Sequence, residues 1–323
     1  MGHEFEGVRG GPVRKYLSEF GLNMVSGYLL LLQQERLSAI DDAGIEPHIY
    51  MIGRRPRIML DPDSVRITES RVTGMFRKQI RDSVEEIPFD VPNLMGTKEV
   101  TMESSYPYTE YRTIREGGEV VGGGKCALLM ASFGPSFWEH LDFEVLYVGQ
   151  AYGTDGSRKA GDRLKRHETL QGIYSEAIGR NPDQEIWILV GTFEPLLLSS
   201  FDGITKNYAT SEKEDSEHLS RVLSAEMTER QQINFTEAAL IRYFQPEYNK
   251  IFKETFPNPA HSTYSECYDI DLNMVCVEMQ TENIGLRLWS ENIEPKWVHF
   301  AAFPLHSREE RVYMFEWHGE RAI

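Results

Sequence analysis

The residues best suited to chemistry lie in three separated stretches. Leu146-Tyr147-Val148-Gly149-Gln150-Ala151 closes an apolar run with a glycine, which permits a tight turn and leaves a phenol beside it. Arg163 and His167 stand four apart, so on a helix their side chains project the same way, one turn from each other. Asp162 is placed to cap that helix. Glu237 precedes the apolar row Leu240, Ile241 and Phe244, which sets a carboxylate at the edge of a packed helical face. These groups suit phosphodiester hydrolysis. An arginine offers phosphate a cation that keeps its proton, with bidentate donors. A carboxylate can hold Mg²⁺ (or Mn²⁺) while leaving its waters in place, and the metal then neutralises developing charge and acidifies a bound water. A phenol, with a free pKa near ~10, becomes a usable base only when a metal or cation beside it lowers that value.

Taken singly, a Tyr-Val-Gly strand end, an Arg-x3-His helix face and one helical glutamate are ordinary structural features, and their order and separation give them weight. In that order they resemble the GIY-YIG nuclease family. Tyr147-Val148-Gly149 is similar to its second tripeptide, Arg163 and His167 to its Arg and His, and Glu237 with Pro246 and Asn249 to its helix ending. The resemblance covers residues 125–252 and implies a small mixed three-stranded sheet flanked by helices. It further implies that Arg163 contacts the scissile phosphate, that Glu237 binds one divalent cation, and that Tyr147 and His167 assist the activation of water. Lys159, Arg166 and Asn249 are expected to bind the substrate. The first tripeptide departs from the pattern, because the strand expected to supply Gly-Ile-Tyr reads Cys126-Ala127-Leu128-Leu129-Met130. Either Tyr147 or His167 is then the base alone, or a tyrosine from elsewhere substitutes, or the chain is an inactive relative that binds or assembles. Tyr174 shares the helical stripe of His167 but lies two turns away, about 10 Å by helix rise.

The 323 residues exceed what one core usually holds, and 41% hydrophobic with 26% charged residues excludes global disorder. The longest aliphatic run, Leu29 to Leu32, is far short of the ~20 residues of a membrane span. Met1 to Gly11 carries charges instead of an apolar secretory segment, so a cytoplasmic protein is expected. Cys126, Cys267 and Cys276 are too few and scattered for a disulfide framework or a four-thiolate zinc site, and read as packing residues. A net charge of −16 argues against nonspecific adhesion to nucleic acid. Against it stands one run, residues 158–166, with five basic groups to one acid, where phosphate contact by Lys159 and Arg166 is expected. The partner expected is nucleic acid, DNA favoured, with a homo-oligomer or protein partner held through the flanking modules.

The elements that must position these groups read as an α+β chain of three units. An N-terminal α+β module spans 1–124, the nuclease-like α/β domain 125–256, and a C-terminal β-rich module 257–323. A helix or a broken pair of helices is expected over 12–40 and a second helix over 70–83, with short strands at 47–52, 57–60 and 65–67 between them. Gly122-Gly123-Gly124 reads as a linker. Strands follow at 126–133, 143–150 and 185–193, with a helix over 162–179, a surface loop at 211–217 and a helix over 235–243. The last module is expected as strands at 273–279, 284–289, 297–302 and 311–317.

Overall fold

Two of the most apolar stretches become the two longest strands in a computed structural model, which describes residues 14–151, 168–201, 208–259 and 265–316. Strand β1 (Ser18–Leu32) runs antiparallel to β10 (Gln184–Phe201), from Ser18 opposite Phe201 to Leu32 opposite Ile188, with an irregularity between Ser26 and Leu29. The first seven residues of β1 are all buried, so both faces are covered and the two-residue alternation that marks a half-exposed strand is absent. Without that alternation the apolar residues could be read at helical spacing, and the helix or broken pair expected over 12–40 is a strand over most of its described length.

Around this pair an eight-stranded sheet assembles from all parts of the chain. Strand β2 (Ile49–Pro56) pairs antiparallel with β10, and β9 (Phe143–Gln150) antiparallel with β2. Beyond β9 lie β12 (Leu288–Ser290) and β13 (Ile293–Lys296); beyond β1 lie β11 (Met274–Gln280) and β14 (Val298–Pro304). The order is β13-β12-β9-β2-β10-β1-β11-β14. The fold is mixed α and β, as expected. One sheet nevertheless draws strands from each of the three expected units.

Between β2 and β9, which are neighbours in the sheet, the chain makes a long excursion. It forms an antiparallel sheet of β3 (Ile58–Ile67), β4 (Arg71–Ile80) and β5 (Ser83–Pro92), then one of β6 (Val100–Glu103), β7 (Glu110–Arg115) and β8 (Val120–Lys125). The helix expected over 70–83 is therefore a hairpin, turned at Arg81 with φ of 55°. Gly122 to Gly124 belong to β8 and are not a linker. The strand expected at 126–133 is helix α2 (Cys126–Ser132). Its Ala-Leu-Leu-Met-Ala core is built of strong helix formers without a β-branched residue, and Cys126, Ala127 and Met130 supply its buried stripe. Phe76 and Phe89 of the excursion pack with Phe133, at ring separations of 4.7–5.7 Å, and join the main core.

Seven α-helices are described. Besides α2 they are the short α1 (Ser38–Asp42) and α3 (Pro135–Trp138), then α4 (Glu168–Arg180), α5 (Glu212–Ser224), α6 (Glu229–Phe244) and α7 (Glu266–Asp269). The loop expected at 211–217 starts α5 instead. Ser211 accepts from the Glu214 amide and Glu214 accepts from the Ser211 amide, a reciprocal cap that an acidic, polar segment conceals. Helix α6 packs Ile233, Phe235, Ala238, Leu240, Ile241 and Phe244 into the main core on one face of the sheet. A smaller core on another face joins Leu37 and Ile40 near α1 with Leu170 and Ile173 of α4. The strand expected at 311–317 is irregular over 311–316. Cys126, Cys267 and Cys276 are all buried and reduced, and burial pushes each thiol up to about 12. No helix among the described residues is long and apolar enough to cross a membrane.

Candidate functional site

Tyr147 stands on β9 where the strand carries a bulge. Tyr147 pairs with Ile52 and Val145 with Gly53, which leaves Leu146 as the extra residue. Leu146 and Tyr147 consequently share the smaller core, while Val145 and Val148 face the larger one. The Leu146 carbonyl accepts from the Tyr248 amide at 3.0 Å. A bulge next to a site re-aims a side chain, and here it turns the phenol of Tyr147 toward a second tyrosine.

That second tyrosine is Tyr50, on β2. The stretch His48-Ile49-Tyr50-Met51-Ile52 alternates between faces, with Ile49 and Met51 in the larger core and Tyr50 and Ile52 in the smaller. Tyr50 lies directly opposite Gly149, and its ring centroid is 5.9 Å from that of Tyr147. Gly149 creates the room for both: a Cβ there would sit 2.6 Å from the Tyr50 hydroxyl and 2.8 Å from Cε1 of Tyr147. The glycine thus serves close approach of two phenols more than a turn. The helical residues 126–132 contribute no tyrosine to this place.

Glu237 approaches the same end of β9 from α6. Gln150 Nε2 donates to Glu237 Oε2 at 2.7 Å and to Asn234 Oδ1 at 2.6 Å, the two being one helical turn apart. Gln150 therefore turns toward the α6 side of the sheet, opposite the side on which Tyr50 and Tyr147 pack. Carboxylate and phenols therefore lie on opposite faces of the sheet near the end of β9. His48, immediately before β2, accepts from the Phe193 amide through Nδ1 at 3.0 Å and sets Nε2 3.6 Å from Glu229, the first residue of α6.

Asn249 is occupied otherwise than expected. Its Oδ1 accepts from the Val148 amide and its Nδ2 donates to the Val148 carbonyl, both at 2.9 Å, and the side chain is buried. On that edge of β9, strand β12 pairs only with Phe143 and Glu144. The asparagine amide stands in for the missing strand farther along, a fastening role in place of substrate contact. Arg163, His167, Lys159 and Arg166 lie outside the described residues. Tyr174 packs in the core that holds both phenols, where burial pushes its own hydroxyl up to about 12.

In the C-terminal part, His299 of β14 is buried against Tyr243 and Phe244 of α6. Its Nε2 donates to the Lys296 carbonyl at 3.0 Å and its Nδ1 accepts from the Tyr243 hydroxyl at 3.2 Å. Burial lowers its pKa to about 4, so it is neutral at pH 7. Among the described residues no group of three or more His, Cys, Asp or Glu side chains is arranged to hold a metal ion. Compared with family models, curated sequences and solved structures, the chain matches none.

Sequence reasoning missed Tyr50. Its signal was present in Ile49-Tyr50, an isoleucine-tyrosine pair inside an expected strand, but residues 57–142 separate that strand from its partner.

Proposed function

We propose that the protein is a metal-dependent endonuclease that hydrolyses phosphodiester bonds in nucleic acid, DNA favoured, with the chemistry the GIY-YIG resemblance implies. The observation that carries this reading is the pairing of Tyr50 with Tyr147 over Gly149 on adjacent antiparallel strands. Ile49-Tyr50 would supply the tyrosine of the first tripeptide, with His48 in the place of its glycine. The neighbouring strands β9, β2 and β10 all run antiparallel, unlike the mixed sheet within residues 125–252 that the resemblance implies, and β2 comes from outside that span.

The oxygen donors at the end of β9 suit a hard cation such as Mg²⁺ or Mn²⁺. Glu237 would hold it, with the amide oxygen of Asn234 one helical turn away; a single carboxylate suffices because Mg²⁺ keeps most of its waters. When bound, the cation supplies charge neutralisation at phosphate and a more acidic water. Gln150 holds the Glu237 carboxylate in place. Tyr50 and Tyr147 lie on the sheet face opposite Glu237 and would reach the attacking water only around the end of β9, while Arg163 would grip the phosphate with His167 beside it. Lys159 and Arg166 would hold the flanking backbone.

The test is a cleavage screen over single-stranded, duplex and branched DNA and over RNA, with Mg²⁺ or Mn²⁺ at low salt. Cleavage is expected in at least one arm, and Glu237→Ala should reduce it about 10³-fold at unchanged melting temperature, as expected for loss of a metal anchor. Cleavage at the wild-type rate in Glu237→Ala would remove the assignment.

One observation favours a second reading, a scaffold that binds nucleic acid without cutting it. Tyr50 is only 2% exposed and packs among aliphatic side chains. Substrate binding in the same screen without cleavage under any metal would select this reading.

A further inference from the structure

Strand β10 runs past the neighbour on its outer side. It pairs with β1 from Ile188 to Phe201, but with β2 only from Gln184 to Gly191. His48 ends that second ladder: its amide donates to the Gly191 carbonyl, and its Nδ1 accepts from the Phe193 amide. Gly191 and Phe193 therefore turn backbone polar groups away from β1. The register with β1 is unbroken from Phe193 to Phe201, so Pro195, Leu197, Ser199 and Phe201 turn theirs to the same side. Pro195 fits this parity, since a residue without an N–H costs no ladder bond on an open side. Among the described residues no strand pairs with that side of β10 beyond Gly191.

An open edge is a template for another strand, and proteins usually blunt it with charge or short length. This one does neither. Glu194-Pro195-Leu196-Leu197-Leu198-Ser199-Ser200-Phe201 carries a single charge, at its start, and Leu196, Leu197 and Phe201 are 49%, 40% and 63% exposed.

A cavity of about 320 Å³ lies beside this edge, between the sheet and helices α5 to α7. Leu197 stands opposite Leu22 of β1, and both project on the face that the helices cover. The lining is buried at Leu22, Val222 and Leu272 and exposed at Leu197, Leu223 and Glu226, so the cavity is closed over β1 and open toward the free side of β10. A strand laid along that side would send every second side chain toward the mouth. The lining includes the carboxylates of Glu226 and Glu266 and no Lys, Arg or His, and the donor to Glu266 is the neutral Gln231.

We propose that residues 195–201 form an edge to which an extended segment of a protein partner adds as a strand, placing an apolar side chain in the cavity and a lysine or arginine against Glu226. The amides of Leu197, Ser199 and Phe201 and the carbonyls beside them supply affinity, while the cavity and its acids supply selection. A second copy of the chain is a poorer occupant, because it brings the same carboxylates and a further charge of −16 to the contact. The site does not depend on the nuclease reading or on the tyrosine pair.

Fluorescence anisotropy of a labelled Thr-Leu-Thr-Val-Thr-Lys-Thr peptide with the full chain tests the edge, beside one version with Glu for Lys and one with every amide N-methylated. The lysine peptide should bind at least about tenfold more tightly than either, since one loses the ion pair and the other the main-chain donors. Ser199→Pro removes a donor from the open side and spares the ladder with β1, so binding should fall about tenfold at unchanged melting temperature. Glu226→Lys, at an exposed position, should abolish the preference for the lysine peptide over the glutamate one. Hydrogen exchange at Leu197, Ser199 and Phe201 should be fast in the protein alone and slow with the lysine peptide. The proposal is overturned if no peptide binds at millimolar concentration, if the N-methylated version binds equally well, or if Ser199→Pro binds as the wild type does. Protection of those amides in the protein alone also overturns it, whether a dimer in light scattering or the chain itself covers the edge.

Discussion

A single methyl group at Gly149 would occupy the space that the two phenols share. In Gly149→Ala the new Cβ must push aside the Tyr50 hydroxyl, the Tyr147 ring edge, or both. Overpacking of this kind costs about 1–3 kcal/mol, and a misplacement of about 1 Å at a reacting group can cost about 10²-fold in rate. Single-turnover cleavage should therefore fall about 100-fold while thermal unfolding stays cooperative; an unchanged rate would detach the tyrosines from the chemistry. Tyr147 and Glu237 stand out in the sequence because each sits in a short motif of residue types suited to the proposed chemistry. Tyr50 does not, because nothing local to Ile49-Tyr50 says that β2 will lie beside β9. The role of Asn249 was illegible for a related reason: an amide suits substrate and backbone equally, and only the uncovered edge of β9 decides between them.

At the scale of elements, Asn249 fastens the segment after α6 to β9. Asn249→Leu should strand a buried amide and a buried carbonyl on Val148 and destabilise the protein by about 2–4 kcal/mol. Asn249→Asp keeps the acceptor and loses the donor, so its cost should be smaller. Chemical denaturation of both variants checks this, and a loss of activity without loss of stability would instead return Asn249 to substrate binding. Helix identity was readable where one face meets solvent, as in α6, and β9, though packed on both faces, was readable as a short apolar run ended by a glycine. The reading failed where burial on both faces erased the period, as in β1, and where helix formers filled a short apolar run, as in α2. The start of α5 carried a Ser-x-x-Glu cap in plain view, masked by its acidic composition.

The whole molecule is tied together by a buried ionic network that joins distant parts of the chain. Arg311 donates to Glu19 of β1 and, at 2.8 Å, to Asp271; Tyr16 and Lys15 donate to Asp271, and Asn273 to Glu19. Arg311 and Glu19 are almost wholly inaccessible. Arg311→Ala leaves the Glu19 charge buried and unpaired, and should cost about 3–5 kcal/mol in chemical denaturation. Burial alone would raise the Asp271 carboxyl, but hydrogen bonds from His306, Lys15 and Tyr16 and the charge of Arg311 hold it well below the usual carboxylate range. A depressed carboxyl stabilises the fold above its unfolded value of about 3.9 and loses that contribution as pH falls further. The buried neutral His299 acts in the same direction at higher pH. Its unfolded form takes a proton near 6.5 while the folded form waits until about 4. The melting temperature should therefore be flat just above pH 6.5, fall between 6.5 and 4, and fall again below 4; a melting temperature that rises on acidification contradicts both assignments. The α and β composition of the molecule was legible from sequence, whereas the shared sheet was not. Its strands come from residues 18–32, 49–56, 143–150, 184–201 and 274–304, and pairing over such separations leaves no trace in any local window.

The central claim is that Tyr50 completes a phenol pair that cuts nucleic acid, and the single-turnover cleavage rate of Tyr50→Phe beside the wild type, with Mg²⁺ saturating, addresses it most directly. A fall of about 10²-fold or more at unchanged melting temperature is predicted. Equal rates in the two proteins would contradict it.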